Sequence, residues 1–516
     1  MTGAGYKSTL DPGWKNLAGH LVFLTCLVLF ALSMPAAAWD PKAAEFLLII
    51  GLIGVWRYSW AVLHWVRSII YRKIVFPRWR RRADALAEAG MPSQVYLLVT
   101  SFRIDSDTTM RVYEAAIREA IDCGAPTTIV ASIVEMGDQR LIKQLFEMCA
   151  PPPDVRLKFV RIAGTGKRDA LAFGFRAIAA DNPPDDAVAA VVDGDSILEE
   201  GLIRRCAPFF QMFPRAGALT TDEDCEVQGN WVFHHWYAMR FAQRQIHMSS
   251  VGLSRNVLTL TGRMSMFRAS IITDSEFIQR VEVDWIDHWR LGRIKFLTGD
   301  DKSSWYHLLR DGWQMLYIPD VRVLTVEDAP SESFLQGSIV LMRRWFGNML
   351  RTNTRAIALG PRRMGLFTWW SIIDQRISMW TCLTGVVVTA LYGVTDGPVM
   401  IALYAFWILS TRYILTLSFL ASRSTVSPWW PLLLYYNQVV GSFVKIYMVY
   451  HLNQQKWTRQ KTTLAAQSSD WRTRLSAASS PAMMAVASIT FVMLLGLSIG
   501  VFELPNTGAI MTSLGL

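Results

Sequence analysis

Cysteine is scarce in this chain. Six occur in 516 residues (Cys26, Cys123, Cys149, Cys206, Cys225 and Cys382), with no C-x-x-C spacing and no His pairing. That pattern excludes a zinc ribbon and a disulfide framework, and the six read as reduced packing residues. No G-x-G-x-x-G occurs, so the dinucleotide fingerprint is missing, and Gly164-Thr165-Gly166-Lys167-Arg168 is too short for a P-loop. Charge is sparse as well, at 18% of residues against 52% hydrophobic, with a mean hydropathy of +0.23. Such a balance points to a membrane protein long enough for more than one folded unit. Lys and Arg exceed Asp and Glu by 52 to 42, a net charge of +10. The excess alone would admit nucleic acid as a partner. However, Arg67, Arg72, Lys73, Arg78, Arg80, Arg81 and Arg82 directly follow an apolar segment. That is the mark of a cytoplasmic membrane flank, so no nucleic acid is expected.

The apolar runs set the organisation. Leu17 to Ala38 holds no Asp, Glu, Lys or Arg, and a span needs about 20 apolar residues. Its A-A-A end superficially resembles a signal-peptide cleavage site. Phe46 to Val66 follows at once, broken by Arg57 and His64, so a membrane hairpin over 1–76 is expected. Arg57 either snorkels or lines a polar path. Residues 331–379 mix Trp, Arg and apolar positions as interface helices do. In 380–516, spans are expected near Trp380–Val394, Val399–Ala421 and Met483–Phe502. The segment 429–452, apolar yet carrying Asn437, Gln438 and Lys445, is expected at the interface beside a basic cytoplasmic loop, 453–480. Five spans result, with six as the competitor.

Between the apolar ends, from Gln94, short apolar strands alternate with amphipathic helices. Val95–Thr100, Thr127–Val134, Val155–Ile162 and Asp186–Val192 read as strands. Thr108–Asp122, Asp138–Met148 and Lys167–Ala180 read as helices, which makes 77–330 an α/β domain on a mostly parallel sheet. The stretch AVAAVVDGDS, Ala187 to Ser196, is a doubly buried strand ending in Asp193 and Asp195. Ligands of open α/β sheets sit beyond the carboxyl ends of strands. Two carboxylates there suit a hard divalent cation, Mg²⁺ or Mn²⁺, shared with phosphate oxygens, although a solvated turn or a helix cap gives the same D-x-D. The Gly164–Arg168 turn presents Lys167 and Arg168 at a helix start, as a diphosphate site or as a solvated basic turn. His234 and His235 are adjacent and face different sides of a helix, which argues against a metal pair. Asp300 and Asp301 open a helix over Lys302–Arg310, either as caps or as a base for an acceptor hydroxyl.

Taken together, Asp193-Gly194-Asp195, Thr261-Gly262-Arg263-Met264-Ser265-Met266-Phe267-Arg268, Gly299-Asp300-Asp301 and Arg344-Trp345 resemble a family. Their order is that of the processive, membrane-embedded inverting glycosyltransferases such as cellulose, hyaluronan and chitin-oligosaccharide synthases. The stretches LTGDDKSSWYHLLRDGWQMLYIPDVRVLTVEDAP and RRWFGNMLRTN look like the alginate-synthesising members, which polymerise mannuronate from GDP-mannuronic acid. The resemblance covers nearly the whole chain. It implies a GT-A-type nucleotide-sugar transferase domain inserted between transmembrane helices in the bacterial inner membrane, with the catalytic domain cytoplasmic. It also implies a divalent cation as cofactor, a GDP-sugar donor, a nascent polysaccharide, membrane lipids, and an inner-membrane co-polymerase subunit with a cyclic-di-GMP-binding domain.

By the same resemblance, Asp193 and Asp195 bind metal and diphosphate, and Asp301, beside Asp300, is the general base. Lys167, Arg168, Ser132 and Arg344 are expected at the nucleotide sugar, Trp345 and Arg263 at the acceptor, and Trp457 and Arg459 in a gating loop. Leu341 stands where relatives carry the Gln of Q-x-x-R-W. Near the expected base site, Ser101-Phe102-Arg103-Ile104-Asp105, Ser132 and Glu135 replace the usual patterns. Two other functions use many of the same residues: a non-processive transferase adding one sugar to a polyprenyl phosphate, and a non-catalytic nucleotide-sensing scaffold.

Overall fold

A computed structural model describes residues 13–39, 43–395, 397–455 and 471–503. The chain divides into two units, one of Met1–Leu63, Gln375–His451 and Ser469–Leu516, the other of His64–Asp374 and Leu452–Ser468.

The second unit is built on strands β1 (Val95–Thr100), β2 (Thr127–Ile133), β3 (Val155–Arg161), β4 (Val188–Asp193), β5 (Ser196–Leu198), β6 (Ala216–Gln228) and β7 (Met264–Arg268). A small hairpin of β8 (Trp285–His288) and β9 (Gly292–Lys295) follows, then β10 (Gln314–Asp328). Eight strands form one sheet in the order β3-β2-β1-β4-β7-β6-β10-β5. The β1–β2, β2–β3, β1–β4 and β6–β10 pairs are parallel, while β7 runs antiparallel to both β4 and β6. Periodicity alone places the first four strands and the helices Ser106–Asp122, Met136–Cys149 and Lys167–Ala179 to within two residues. Strands β1 and β2 are buried along their whole length because helices cover both faces, which is why they read as unbroken apolar runs.

Register fixes the site. Thr100 pairs with Ser132 on one side and with Asp193 on the other, so three strands end level. Gly194 donates its backbone N–H to Thr100 O at 2.9 Å, which turns the chain across the end of β1. A Cβ on Gly194 would lie 2.8 Å from Thr100 O and 2.9 Å from Ser101 Cα. The middle residue of D-G-D is therefore dictated by the neighbouring strand.

The helix Phe334–Ala358 packs within this unit. Gly337 lets Phe233 approach so closely that a Cβ would lie 2.6 Å from its ring. Arg355 is paired through both Nη atoms with the buried Asp284 carboxylate. Leu341 is 3% exposed. A buried position of this kind suits an apolar side chain, here Leu in place of the family's Gln.

The other unit is helical. Among the described residues four helices are long and apolar enough to cross a membrane: Trp14–Ser33, Leu366–Thr395, Val399–Ala421 and Ala478–Ser498. The third of the four begins where the sequence puts it, while the second starts at Leu366 and takes in residues expected at the interface. The second expected span forms the helix Ala43–Ile69, and 429–452 forms the helix Trp430–Tyr450. Met34, Ala38, Ile50, Val388, Leu403, Tyr404 and Ile408 make a buried cluster in this unit.

Candidate active site

Four acids and two lysines gather at the carboxyl end of the sheet. Asp193 ends β4, and its backbone N–H donates to Arg263 O at 3.2 Å, tying the D-G-D to the Thr261–Arg263 loop. Lys167, at the first turn of its helix, places Nζ 2.5 Å from Asp193 Oδ1 and 3.3 Å from Asp300 Oδ2. One ammonium therefore bridges the end of β4 and the start of the helix Asp300–Asp311. Gly262 makes room for the bridge, since a Cβ there would lie 2.6 Å from Lys167 Nζ and 3.0 Å from Asp193 Oδ2.

Gly299 adopts φ +85 immediately before that helix, a conformation glycine takes at no steric cost, and so turns Asp300 and Asp301 into its first turn. There the N-terminal dipole favours negative charge. Gly299, the N-cap, has no side chain with which to bond the first turn, and the Asp301 carboxylate takes a backbone hydrogen bond from Lys302 there. The loop is held from behind. Thr298 Oγ1 donates to Asn348 Oδ1 at 2.8 Å, Arg351 Nη2 donates to the same oxygen at 2.6 Å, and Gln455 accepts from Leu297 N at 2.9 Å while donating to Lys295 O at 2.8 Å.

The electrostatics follow from burial among like charges. Burial first, then the nearby Asp195 charge, raise Asp193 to about 7, against the opposing pull of Lys167. Asp300 is also pushed up by burial, but Lys167 and Arg168 outweigh it and hold the carboxyl below its ordinary value. Asp301 is raised by burial and by Asp300. Lys302, whose ammonium donates to Leu258 O at 2.8 Å, is lowered by burial to about 8. Burial would lower Lys167 too, yet Asp193 and Asp300 together raise it. Leu171, Phe175, Leu260, Phe267 and Val281 line an apolar hollow behind Asp300 and Asp301, which is the physical source of the desolvation there.

Not every expected residue joins this cluster. Lys167 and Arg168 diverge, the former to the acids and the latter inward. Arg168 is 5% exposed and donates to Val281 O at 2.7 Å, Thr298 O at 3.1 Å and Ser303 Oγ at 3.0 Å, bracing the acid-bearing loop. Ser132 is 1% exposed and donates to Ala170 O at 3.2 Å. Arg263 is clamped between Glu223, at 3.1 Å, and Glu327, at 2.6 Å. Trp345 stacks on Trp236 with centroids 5.7 Å apart, and the Arg240 guanidinium lies 4.3 Å from its ring. Arg344 is half-buried on the same helix. Trp457 and Arg459 lie outside the described residues.

Several supporting groups carry no sequence signal. Glu223, 1% exposed, forms an ion pair with Arg244 at 3.3 Å and accepts from Arg263 at 3.1 Å, and Asp222 accepts from Gln245 at 3.0 Å and Tyr317 at 3.0 Å. Asp284 takes Arg355 and Ser303, the latter at 2.6 Å. Each is joined to partners far away in the chain, so only the fold reveals the pairing. Among the described residues no group of three or more His, Cys, Asp or Glu side chains is gathered tightly enough to hold a metal alone. Asp193 and Asp195 nonetheless fit a shared hard cation: both are oxygen donors, and burial together with the nearby Asp195 charge raises the Asp193 proton affinity even beside Lys167.

The chain also resembles known proteins in sequence. Residues 92–348 match the model described as "Glycosyltransferase like family 2". "Glycosyltransferase alg8" of Pseudomonas syringae pv. tomato (strain ATCC BAA-871 / DC3000) is 48% identical over 486 residues, covering 94% of this chain and 99% of that protein. "Glycosyltransferase alg8" of Azotobacter vinelandii is 48% identical over 481 residues, covering 93% and 98%. Among solved structures, "Mannosyltransferase PcManGT from Pyrobaculum calidifontis in complex with GDP-Man and Mn2+" is similar at a TM-score of 0.44 and 15% identity, covering 74% of this chain and 98% of that one. A GT-A-type sheet with its acids at the strand ends, and relatives spanning nearly the whole sequence, lead to one assignment. The chain is a glycosyltransferase of family 2 and belongs, within it, to the alg8 glycosyltransferases, the alginate synthase catalytic subunits its motifs resemble.

Proposed function

We propose that this chain polymerises mannuronate from GDP-mannuronic acid into β-1,4-polymannuronate and passes the growing polymer across the bacterial inner membrane. The observation that carries the reading is the Lys167 bridge, which brings the D-G-D and the Gly299-Asp300-Asp301 acids within reach of one ammonium. Donor and acceptor sites then share a wall. Asp193 and Asp195 would hold a divalent cation, which when bound supplies positive charge against the donor's diphosphate.

Asp301 accepts the proton of the acceptor hydroxyl, its raised affinity making it a stronger base than an exposed aspartate. The hydroxyl oxygen attacks the anomeric carbon from the face opposite the phosphate, the sugar–phosphate bond breaks, and GDP leaves with the electron pair. A single displacement inverts the centre. Lys167 faces the leaving diphosphate, and the largely apolar lining of the hollow behind the acids disfavours a competing water there. Trp345, braced by Trp236 and Arg240, offers an indole platform to the acceptor sugar. Four spanning candidates support a membrane setting with the transferase unit cytoplasmic, and the resemblance supports a co-polymerase partner bearing a cyclic-di-GMP-binding domain.

The test incubates membranes with GDP-mannuronic acid and Mg²⁺ or Mn²⁺, with and without the partner and cyclic-di-GMP, and sizes the product. Long chains are expected. A single added sugar would favour transfer to a polyprenyl carrier instead. Asp301→Asn should lower GDP release by about 100-fold to 10,000-fold, and a variant of unchanged rate would return the chain to a scaffold role.

A further inference from the structure

Arg412 is an arginine inside an apolar span, Val399–Ala421, and it is 7% exposed. Its partners are all neutral. Nε donates to Gln438 Oε1 at 3.0 Å and Nη2 donates to the same oxygen; Nη1 donates to Tyr58 Oη at 3.0 Å and to Thr411 Oγ1 at 3.2 Å. Among the described residues no carboxylate forms an ion pair with it. The arrangement is built rather than accidental. Gln438 donates its own Nε2 to Cys382 O at 3.2 Å, which turns its oxygen toward the guanidinium, and Tyr58 packs edge-on against Trp407 with centroids 6.2 Å apart. Three helices of the membrane unit, Ala43–Ile69, Val399–Ser418 and Trp430–Tyr450, converge on the one charge.

A charged side chain within a membrane segment is costly and persists where it pairs or serves a path for ions or substrate. Here the described residues supply dipoles but no ion-paired carboxylate. Tyr58, having accepted from the guanidinium, keeps its own hydroxyl proton to donate. Four of the five guanidinium N–H groups are taken by Gln438, Tyr58 and Thr411, which leaves one Nη2 N–H and the Tyr58 hydroxyl proton as donors, a pair that fits an anionic acceptor such as a carboxylate. Nearby aromatic rings, Trp407 and Tyr58, suit the apolar faces of sugar rings.

We infer that Arg412, oriented by Gln438 and joined by Tyr58, is an intramembrane station for the carboxylates of a uronate polymer crossing this unit. The inference rests on the polymerase reading above. It adds that the membrane unit reads the charge of its cargo, a carboxylated sugar chain, and not only its width.

Two measurements test it in inverted membrane vesicles supplied with GDP-mannuronic acid. In the first, polymer protected from added lyase in the vesicle lumen is measured per GDP released. Arg412→Met should lower that ratio about tenfold, a difference of about 1.4 kcal/mol, and Arg412→Lys should recover part of it. In the second, which does not depend on the folding of an Arg412 variant, Trp407→p-benzoylphenylalanine is irradiated during synthesis. Crosslinks to labelled polymer are expected. Crosslinks to phospholipid alone would identify the anion as a headgroup and overturn the assignment, as would an unchanged ratio in Arg412→Met. Absence of any polymer from the wild-type chain would instead overturn the polymerase reading and this inference with it.

Discussion

Asp301 and Asp300 stand side by side in one helical turn, yet they hold protons differently. Lys167 and Arg168 keep Asp300 ionised, and that fixed charge, after burial, raises its neighbour. A base works only when deprotonated, so turnover should rise with pH through the raised Asp301 value. Removing the Asp300 charge removes one cause of the rise, so Asp300→Asn should move the acidic limb of the kcat/KM profile to lower pH. An unmoved limb would mean that another group is the base. Asp193 gives a second prediction. Its proton is held more tightly in the folded chain, at about 7, than the roughly 3.9 of an unfolded aspartate. Stability from this group is therefore fully present below the unfolded value and is lost as pH rises through the folded one. Asp193→Asn should melt higher than wild type at about pH 8 and alike at about pH 4, while losing donor binding. Equal melting at both would show that Asp193 ionises without cost.

Elements are where sequence reading succeeds and fails for identifiable reasons. Strands β1 to β4 and their helices were legible because period and burial agree along them, and the acids were legible because they interrupt apolar strands or open a helix. The Gly164–Arg168 turn shows the limit. Lys167 and Arg168 read as equivalent cations, but adjacent residues at a helix start point about 100° apart, and one meets Asp193 while the other braces Thr298 and Ser303. Glu223 and Asp284 were invisible for a different reason, since their arginine partners sit on other elements. Between β4 and β1 the fit is tight enough to predict a substitution outcome. Gly194→Ala must push back Thr100 O or the Ser101 backbone, at a cost of about 1 to 3 kcal/mol. Thermal unfolding of the purified protein should show the loss, and unchanged melting would mean the strand ends yield freely.

At the scale of the whole molecule, a catalytic unit interrupts a set of membrane helices, and the proposed cytoplasmic placement has a direct readout. Ser106 is exposed at the start of its helix. In a chain with Cys26 replaced by Ser, Ser106→Cys should react with a membrane-impermeant maleimide in inverted vesicles and not in intact spheroplasts. The opposite labelling would reverse the orientation and deny the transferase unit its nucleotide-sugar supply.

The crowding around Gly194 also bears on how this lineage can diversify. With Thr100 O and Ser101 Cα filling the room a methyl group needs, the spacer cannot drift to Ala or Ser while the strands keep their register. A comparison of many relatives should find it as invariant as the aspartates it separates. Selection on that glycine would then report on the neighbouring strand rather than on sugar transfer, and any larger residue there would require β1 to move first.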